Sequence, residues 1–240
     1  MNRFRNRVAS IALRNYLRGP RARRGNFIVS GYPKSGTTWA TQLAAALAGL
    51  DYHQGDVRFR LRGIALHTHS TAFKGRDNIL YCVRDPRESV CSAARAMANS
   101  NRDGVYGPQG QITEDFITYA TTTLPGARKT MRDHLQDGID QGWEFVRFED
   151  LKTNPKDTLG RLAAHFGWSA SADDIAATIE KYDFTRQQQR HKGNVFFAQS
   201  SLSSWAELLS PVALDRMETA LGAQAGAFGY DLSSRPAPKA

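Results

Sequence analysis

The stretch Gly31-Tyr32-Pro33-Lys34-Ser35-Gly36-Thr37-Thr38-Trp39 constrains this 240-residue chain more than any other. It follows a short apolar run, Phe27-Ile28-Val29, and precedes a helix-like run from Ala40 to Leu47. Strand, glycine-containing loop and helix, in that order, aim backbone N–H groups at an anion. The spacing from Gly31 to Gly36 matches a nucleotide-binding phosphate loop. The lysine that an ATP or GTP motif places directly after the second glycine is missing. Here Thr37 and Thr38 follow Gly36, and Lys34 comes two residues before it. The loop is expected to hold an anion other than a magnesium-bound triphosphate.

Downstream, short apolar runs alternate with helical patterns. Asn26 to Ser30 reads as a strand, with a helix after the loop to about Gly49. Residues 51–63 give mixed signals. Ile64-Ala65-Leu66 reads as a second strand that ends in His67-Thr68-His69. Asn78 to Val83 is near-continuous apolar, as a parallel strand covered on both faces should be. A helix follows from Pro86 to about Asn99, with the proline in its first turn. Ser100 to Gly110 is rich in turn residues and is expected to be mobile. A helix is predicted from near Thr113, a fourth strand over Trp143–Phe148 and a helix over Pro155–Phe166. Ser171 with Asp174 caps the next helix, and Ser210-Pro211 opens the last, which runs toward Gly226. This alternation predicts an α/β, three-layer P-loop-type fold, a central parallel sheet flanked by helices. Ligands of such sheets bind beyond the carboxyl ends of the strands. The anion loop, His67 with His69, and Arg84 all fall there.

The length suits one domain, placed over residues 26–232, with a basic segment (1–25) before it and a tail (233–240) after it. Residues 1–50 hold eight arginines and Lys34 and no acid, which accounts for the whole net charge of +9. Arg3, Arg7, Arg14 and Arg18 fall on one helical face, and Phe4, Val8, Ile11, Ala12 and Tyr16 on another. Three readings stand: peripheral contact of residues 1–20 with an anionic membrane, a targeting segment, or a helix docked on its own domain. No basic stripe with interleaved aromatics marks a nucleic-acid partner. No apolar run is long enough to span a bilayer. Cys82 and Cys91 make neither a disulfide framework nor a metal set, and buried reduced thiols of a cytoplasmic protein are expected.

The candidate site residues have distinct chemistry. Lys34, in a loop of N–H donors, is placed to hold a charged bridging group. Arg84 ends an apolar strand, where a guanidinium can fork onto a phosphate or pair with Asp85 or Glu149. Ser92, two helical turns on, can add a hydroxyl to the same anion. His69 can take a proton from a hydroxyl near neutral pH. His67 shares its side if both lie in extended chain. Two histidines can also bind a metal, but no third ligand accompanies them, so no metal is expected. His53, His134 and His165 read as ordinary hydrogen-bonding histidines. Trp39 is either a core residue or an aromatic plate for a base.

Tyr32 to Trp39 resembles the 5′-phosphosulfate loop of the cytosolic-type sulfotransferases across eight successive residues. Ile79 to Ser92 is similar to that family's 3′-phosphate segment, with its arginine and a serine eight residues later. Arg147-Phe148-Glu149-Asp150-Leu151 with Asn154-Pro155 resembles its Tyr-Glu-Asp-Leu stretch. The resemblance spans roughly residues 26–232. It implies 3′-phosphoadenosine 5′-phosphosulfate (PAPS) as donor, PAP as product, and an acceptor hydroxyl or amine. Lys34 would contact the bridging oxygen and 5′-phosphate, and Ser35, Gly36, Thr37 and Thr38 would form the cradle. Trp39 would stack on adenine, Arg84 and Ser92 would hold the 3′-phosphate, and His69 would be the base. A monoanionic sulfuryl group has less charge to offset than a γ-phosphate, which fits a site without metal.

The chain departs from the family at the second lysine, where His67 stands, and at a frequent tyrosine, where Phe148 stands. Arg190-His191-Lys192-Gly193 lies near the family's Arg-Lys-Gly, with either Arg190 or His191 in the arginine's role. Only Trp205 resembles the family's Gly-Asp-Trp. The acceptor is a small molecule, with lipid, glycan and phenol all open; Phe59 and Val195-Phe196-Phe197 are candidates for an apolar acceptor pocket. The alternative enzyme is a P-loop kinase or nucleotide hydrolase. It needs an acid for Mg²⁺, and Asp85 is placed for that, but no lysine follows Gly36. Nothing in the sequence sets an oligomeric state.

Overall fold

Ile79–Val83 is buried along its whole length, and the rest of the molecule is layered around it. The structure is a computed structural model and describes residues 26–52, 63–73, 75–100, 102–190 and 204–235. The basic segment 1–25, His53, Phe59, His191-Lys192-Gly193, Val195-Phe196-Phe197 and the last five residues lie outside the described residues, as does the side chain of Arg190.

In chain order the elements are β1 (Phe27–Ser30), α1 (Thr37–Leu47), β2 (Asp51–Tyr52), β3 (Ile64–Thr68), β4 (Ile79–Val83), α2 (Pro86–Ala98), α3 (Glu114–Thr122) and α4 (Met131–Gln141). Then come β5 (Glu144–Arg147), α5 (Phe148–Thr153), α6 (Pro155–Phe166), α7 (Ala172–Lys181), α8 (Phe184–Arg190), α9 (Trp205–Leu208) and α10 (Pro211–Gly226). The strands form one sheet in the order β2-β3-β1-β4-β5, with every pairing parallel. Strand order reverses at β1, which has β3 on one side and β4 on the other. A crevice opens at such a point beyond the carboxyl ends.

Alternation along the strands builds two cores. Phe27, Val29, Leu80, Cys82 and Val146 pack with Leu43 of α1, Leu151 of α5, Leu159 and Leu162 of α6 and Ile175 of α7. Ile28, Ile79, Tyr81 and Val83 pack on the other face with Val90 of α2, Phe116 of α3, Leu135 of α4, and Leu214 and Met217 of α10. This is the three-layer α/β architecture that the alternating pattern predicts. Both cysteines are buried free thiols. Among the described residues no helix is long and apolar enough to cross a membrane.

α2 shows how local chemistry aims an element. Asp85 caps it by accepting the Arg87 N–H at 2.8 Å, and Pro86 supplies a first turn that needs no donor. The Asp85 carboxylate also holds the Arg87 guanidinium at 2.8 Å. Arg87 in turn binds the Asp231 and Ser234 carbonyls at 3.1 Å each and stacks over Trp205 at 3.9 Å. The chain's C-terminal part is thereby fastened to the start of α2.

The elements differ from the sequence pattern in several places, and α5, α8 and α9 are short helices that no pattern marks. The fourth strand is shorter than Trp143–Phe148, because Phe148 already belongs to α5. β2 has only two residues, too few for a pattern. α4 was not anticipated, since it is polar apart from Met131, Leu135 and Ile139 and carries Gly138. The turn-rich stretch after α2 is tied down. Thr113 donates to the Val105 carbonyl at 3.1 Å, Ile112 to the Leu208 carbonyl at 2.8 Å, and Val105 and Ile112 are buried.

Gly138 is set by Tyr81. A Cβ there would lie 2.6 Å from the Tyr81 ring, which is wholly buried and held by a 2.9 Å bond from its hydroxyl to the His134 carbonyl. Alanine is the better helix former by about 1 kcal/mol, but the clash outweighs that gain. Gly138→Ala is expected to destabilise the protein by about 1–3 kcal/mol. A thermal melt should show Tm lowered by several degrees, and an unchanged or raised Tm would contradict this packing.

Candidate active site

The loop between β1 and α1 is shaped by two glycines. A Cβ on Gly31 would meet the Cys82 carbonyl oxygen at 2.3 Å, and one on Gly36 would meet the Phe148 ring at 2.4 Å. Gly36 also has φ +90°, a conformation open to glycine, where it precedes the first turn of α1. It offers no side chain to cap that turn, so the N–H groups of Thr37, Thr38 and Trp39 remain for an anion. Lys34 is the one non-glycine with positive φ (75°) among the described residues. That strain costs about 1–2 kcal/mol, and strain of this kind gathers at functional sites. Ser35 is placed differently from its neighbours in the loop. Its N–H turns back to the Tyr32 carbonyl at 3.1 Å, its own carbonyl accepts from the Cys82 thiol, and it is buried beneath the loop instead of lining the cavity.

A cavity of about 290 Å³ opens over this loop. Lys34, Gly36, Thr37, Thr38, Trp39, His67, His69, Arg84, Ser92 and Phe148 all line it. Residues from the ends of β1, β3, β4 and β5 thus converge, as the strand-end argument expects. Phe184, Met97, Leu124 and Pro125 complete the wall and were not foreseen. Ala96 and Ser100 were legible in principle, since they follow Ser92 at four-residue steps on one helix face. Phe184 has no local signal.

Arg84 is buried, and its carboxylate partner is Glu88 at 3.4 Å, one helical turn on. Asp85, one of the two acids open to Arg84 in the sequence, is engaged with Arg87 instead. Glu149 lies close enough for its charge to favour the guanidinium, but its bonds go to the Asp85 N–H and the Tyr230 hydroxyl. Glu88 is wholly buried and also receives the Ser204 hydroxyl at 2.9 Å and the Trp205 N–H at 3.0 Å. Arg95 stands 3.8 Å from the same carboxylate. Burial lowers the Lys34 pKa to about 8, helped by the charges of Arg84 and Arg95.

His69 makes one defined bond in the site, Nδ1 to the Gly31 carbonyl at 2.8 Å. A carbonyl only accepts, so Nδ1 carries the proton and Nε2 keeps its lone pair. Burial pushes the His69 pKa down to about 4; the Gly31 bond opposes this, and the charges of His67 and Lys34 add to it. His67 is also lowered by burial, and its ring lies 6.0 Å from that of His69. Among the described residues no group of three or more His, Cys, Asp or Glu is arranged to hold a metal. Trp39 is buried, and its Nε1–H donates to the Tyr182 carbonyl at 2.8 Å.

A family model described as a sulfotransferase domain matches residues 52–218. Cytosolic sulfotransferase 13 of Arabidopsis thaliana is 19% identical over 261 aligned positions, which cover 82% of this chain and 76% of that protein. Among solved structures, mouse sulfotransferase SULT7A1 complexed with PAP matches with a TM-score of 0.62 at 16% identity, over 87% of this chain and 89% of that one. Retinol dehydratase in complex with androsterone and inactive cofactor PAP matches with a TM-score of 0.57 at 13% identity, over 83% and 80%. These two likenesses show a shared fold.

The Lys34 ammonium is charged below pH 8 and loses its proton above it, whereas a bound anion holds the proton on. A phosphate monoester such as AMP is a dianion at both pH 7 and pH 9. Its affinity is expected to be about tenfold lower at pH 9 than at pH 7, with protons taken up on binding at pH 9. Calorimetry in buffers of different ionisation enthalpy reads both. Lys34→Met should weaken binding and abolish the uptake; uptake that survives the substitution would assign the titration elsewhere.

Proposed function

The chain belongs to the sulfotransferase domain family, and from that membership we propose that it moves a sulfuryl group from PAPS to the hydroxyl or amine of a small-molecule acceptor, with His69 as general base and Lys34 at the leaving phosphate. The observation that carries this reading is the His69 tautomer. Its Nδ1–H is committed to the Gly31 carbonyl at 2.8 Å, which leaves Nε2 as the proton acceptor in the cavity that Lys34 also lines.

PAPS fits the residues present. The glycine-shaped loop leaves helix-start N–H groups for one phosphate, and Arg84 with Ser92 supplies a second cationic and hydroxyl subsite in the same cavity. PAPS supplies the sulfuryl group and a phosphate leaving group. Nε2 of His69 takes the acceptor's proton while the acceptor oxygen or nitrogen bonds to sulfur. The bond from sulfur to the 5′-phosphate oxygen breaks, and its electron pair stays on that oxygen. Lys34 and the N–H groups at the start of α1 stabilise the charge. Arg84 and Ser92 hold the 3′-phosphate, and Trp39 and Phe184 form the aromatic wall for adenine. His67, kept neutral by burial, offers a hydrogen bond where the family's lysine would offer a charge. Arg190 or His191, with Lys192 and Gly193, adds contacts to the nucleotide.

His69→Ala should slow turnover of PAPS with a phenol such as 2-naphthol by about 10²-fold or more, with PAP affinity little changed. Near-normal turnover would remove His69 from this role. The low pKa adds a pH signature. The base is neutral, hence active, down to about pH 4, so the acid limb of kcat/KM should fall near there and not near pH 6.5. Calorimetric titration should show PAP binding that is tight and independent of magnesium, with Mg-ATP weak; the reverse order would restore the kinase reading.

A lipid or glycan acceptor at a membrane face is the more specific reading of the basic N-terminal segment. It predicts that removing residues 1–20 abolishes binding to anionic liposomes and leaves activity on a soluble acceptor intact. Unchanged liposome binding by the shortened chain would refute it.

A further inference from the structure

Phe148 touches both halves of the nucleotide site. It opens α5 directly after β5, and its ring is buried. The Arg84 guanidinium lies over the ring, 4.4 Å from its centroid. The phosphate loop rests against the ring edge, so close that a Cβ on Gly36 would fall 2.4 Å from Cδ2. Trp39 and Phe184 meet the same ring at steep angles, with centroids 5.7 and 5.6 Å away. One rigid group therefore spans the distance between the loop and the arginine.

A guanidinium has a flat face and a hydrogen-bonding edge, and each needs its own restraint. Glu88 at 3.4 Å restrains the edge. The Phe148 ring restrains the face by cation–π contact and sets the height of the guanidinium above it. An aliphatic side chain would fill the same space without defining that plane.

We propose that Phe148 is a positioning residue: it fixes the Arg84 guanidinium at a set distance from the phosphate loop, and so makes the site select a nucleotide with two separate phosphate groups over one with a single 5′-phosphate. This rests on the reading of the loop and Arg84 as the two phosphate subsites.

The test is the ratio of the AMP and PAP dissociation constants, measured by calorimetry on the full chain. Phe148→Met conserves bulk but removes the flat face, and should lower the ratio by about tenfold. Phe148→Tyr keeps the face and should stay within about threefold of the parent. Arg84→Met should collapse the ratio itself. Equal weakening of both nucleotides by Phe148→Met, or no change in either, makes Phe148 a core filler and overturns the proposal. A ratio that survives Arg84→Met overturns the two-subsite reading, and the proposal with it. Should Phe148→Met not fold, Arg84→Lys serves: it keeps the charge and loses the plane, so the ratio should fall again. A parental ratio in that variant overturns the proposal.

Discussion

Gly31 is where three strand ends meet, and the site depends on that meeting. Its N–H donates to the Thr68 carbonyl at the end of β3, at 3.3 Å. Its carbonyl receives the His69 Nδ1–H. Its α-carbon lies so near the Cys82 carbonyl of β4 that a methyl group there would be 2.3 Å away. One residue without a side chain thus sets the register between the loop, His69 and the strand that leads to Arg84. Any larger residue would push the loop off β4 and displace the carbonyl that holds His69. Sub-ångström placement is what group transfer needs, since most of its acceleration comes from positioning and fixed charges.

The same burial that orders the site separates its two protonation states. Desolvation disfavours the charged form of either group, so both His69 and Lys34 fall, the first to about 4 and the second to about 8. Neutral pH lies between them. The histidine is then a free base and the lysine a cation, side by side in one cavity. Two cationic groups with different starting values suffice, and no separate device is needed for each role.

Features that rest on short spacing were legible in the sequence. The Gly31–Gly36 loop, the His67/His69 pair and the Arg84–Ser92 interval are each set within one strand end or one helix, and Lys34, Gly36, His67, His69, Arg84 and Ser92 line the cavity. Ser35 lies buried beneath the loop, since a loop pattern says which residues are near an anion and not which of them turns inward. The acid that pairs with Arg84 is likewise not set by nearness in sequence, and Glu88 takes that place. Asp85 is the nearest acid in sequence, but capping α2 and holding Arg87 uses its lone pairs. Phe184 reaches the site from a helix 100 residues beyond Arg84, and no local pattern marks such an approach. α4 had a weak apolar stripe that became a helix through tertiary packing on Tyr81, against the propensity of Gly138.

A wholly buried carboxylate beside an anion site looks contrary to its purpose, since Glu88 must repel any phosphate that Arg84 attracts. Removing it would be worse. Arg84 would then stand buried, with half-buried Arg95 near it and no Glu88 carboxylate between them, and an uncompensated buried charge is strongly destabilising. Glu88 is itself satisfied by the Ser204 hydroxyl and the Trp205 N–H, so its charge is spread over several donors and weakened toward the cavity. Glu88 and Glu149 set against Lys34, Arg84 and Arg95 leave the site net positive. The arginines are held in place before any ligand arrives, and the remaining positive charge is directed at the cavity.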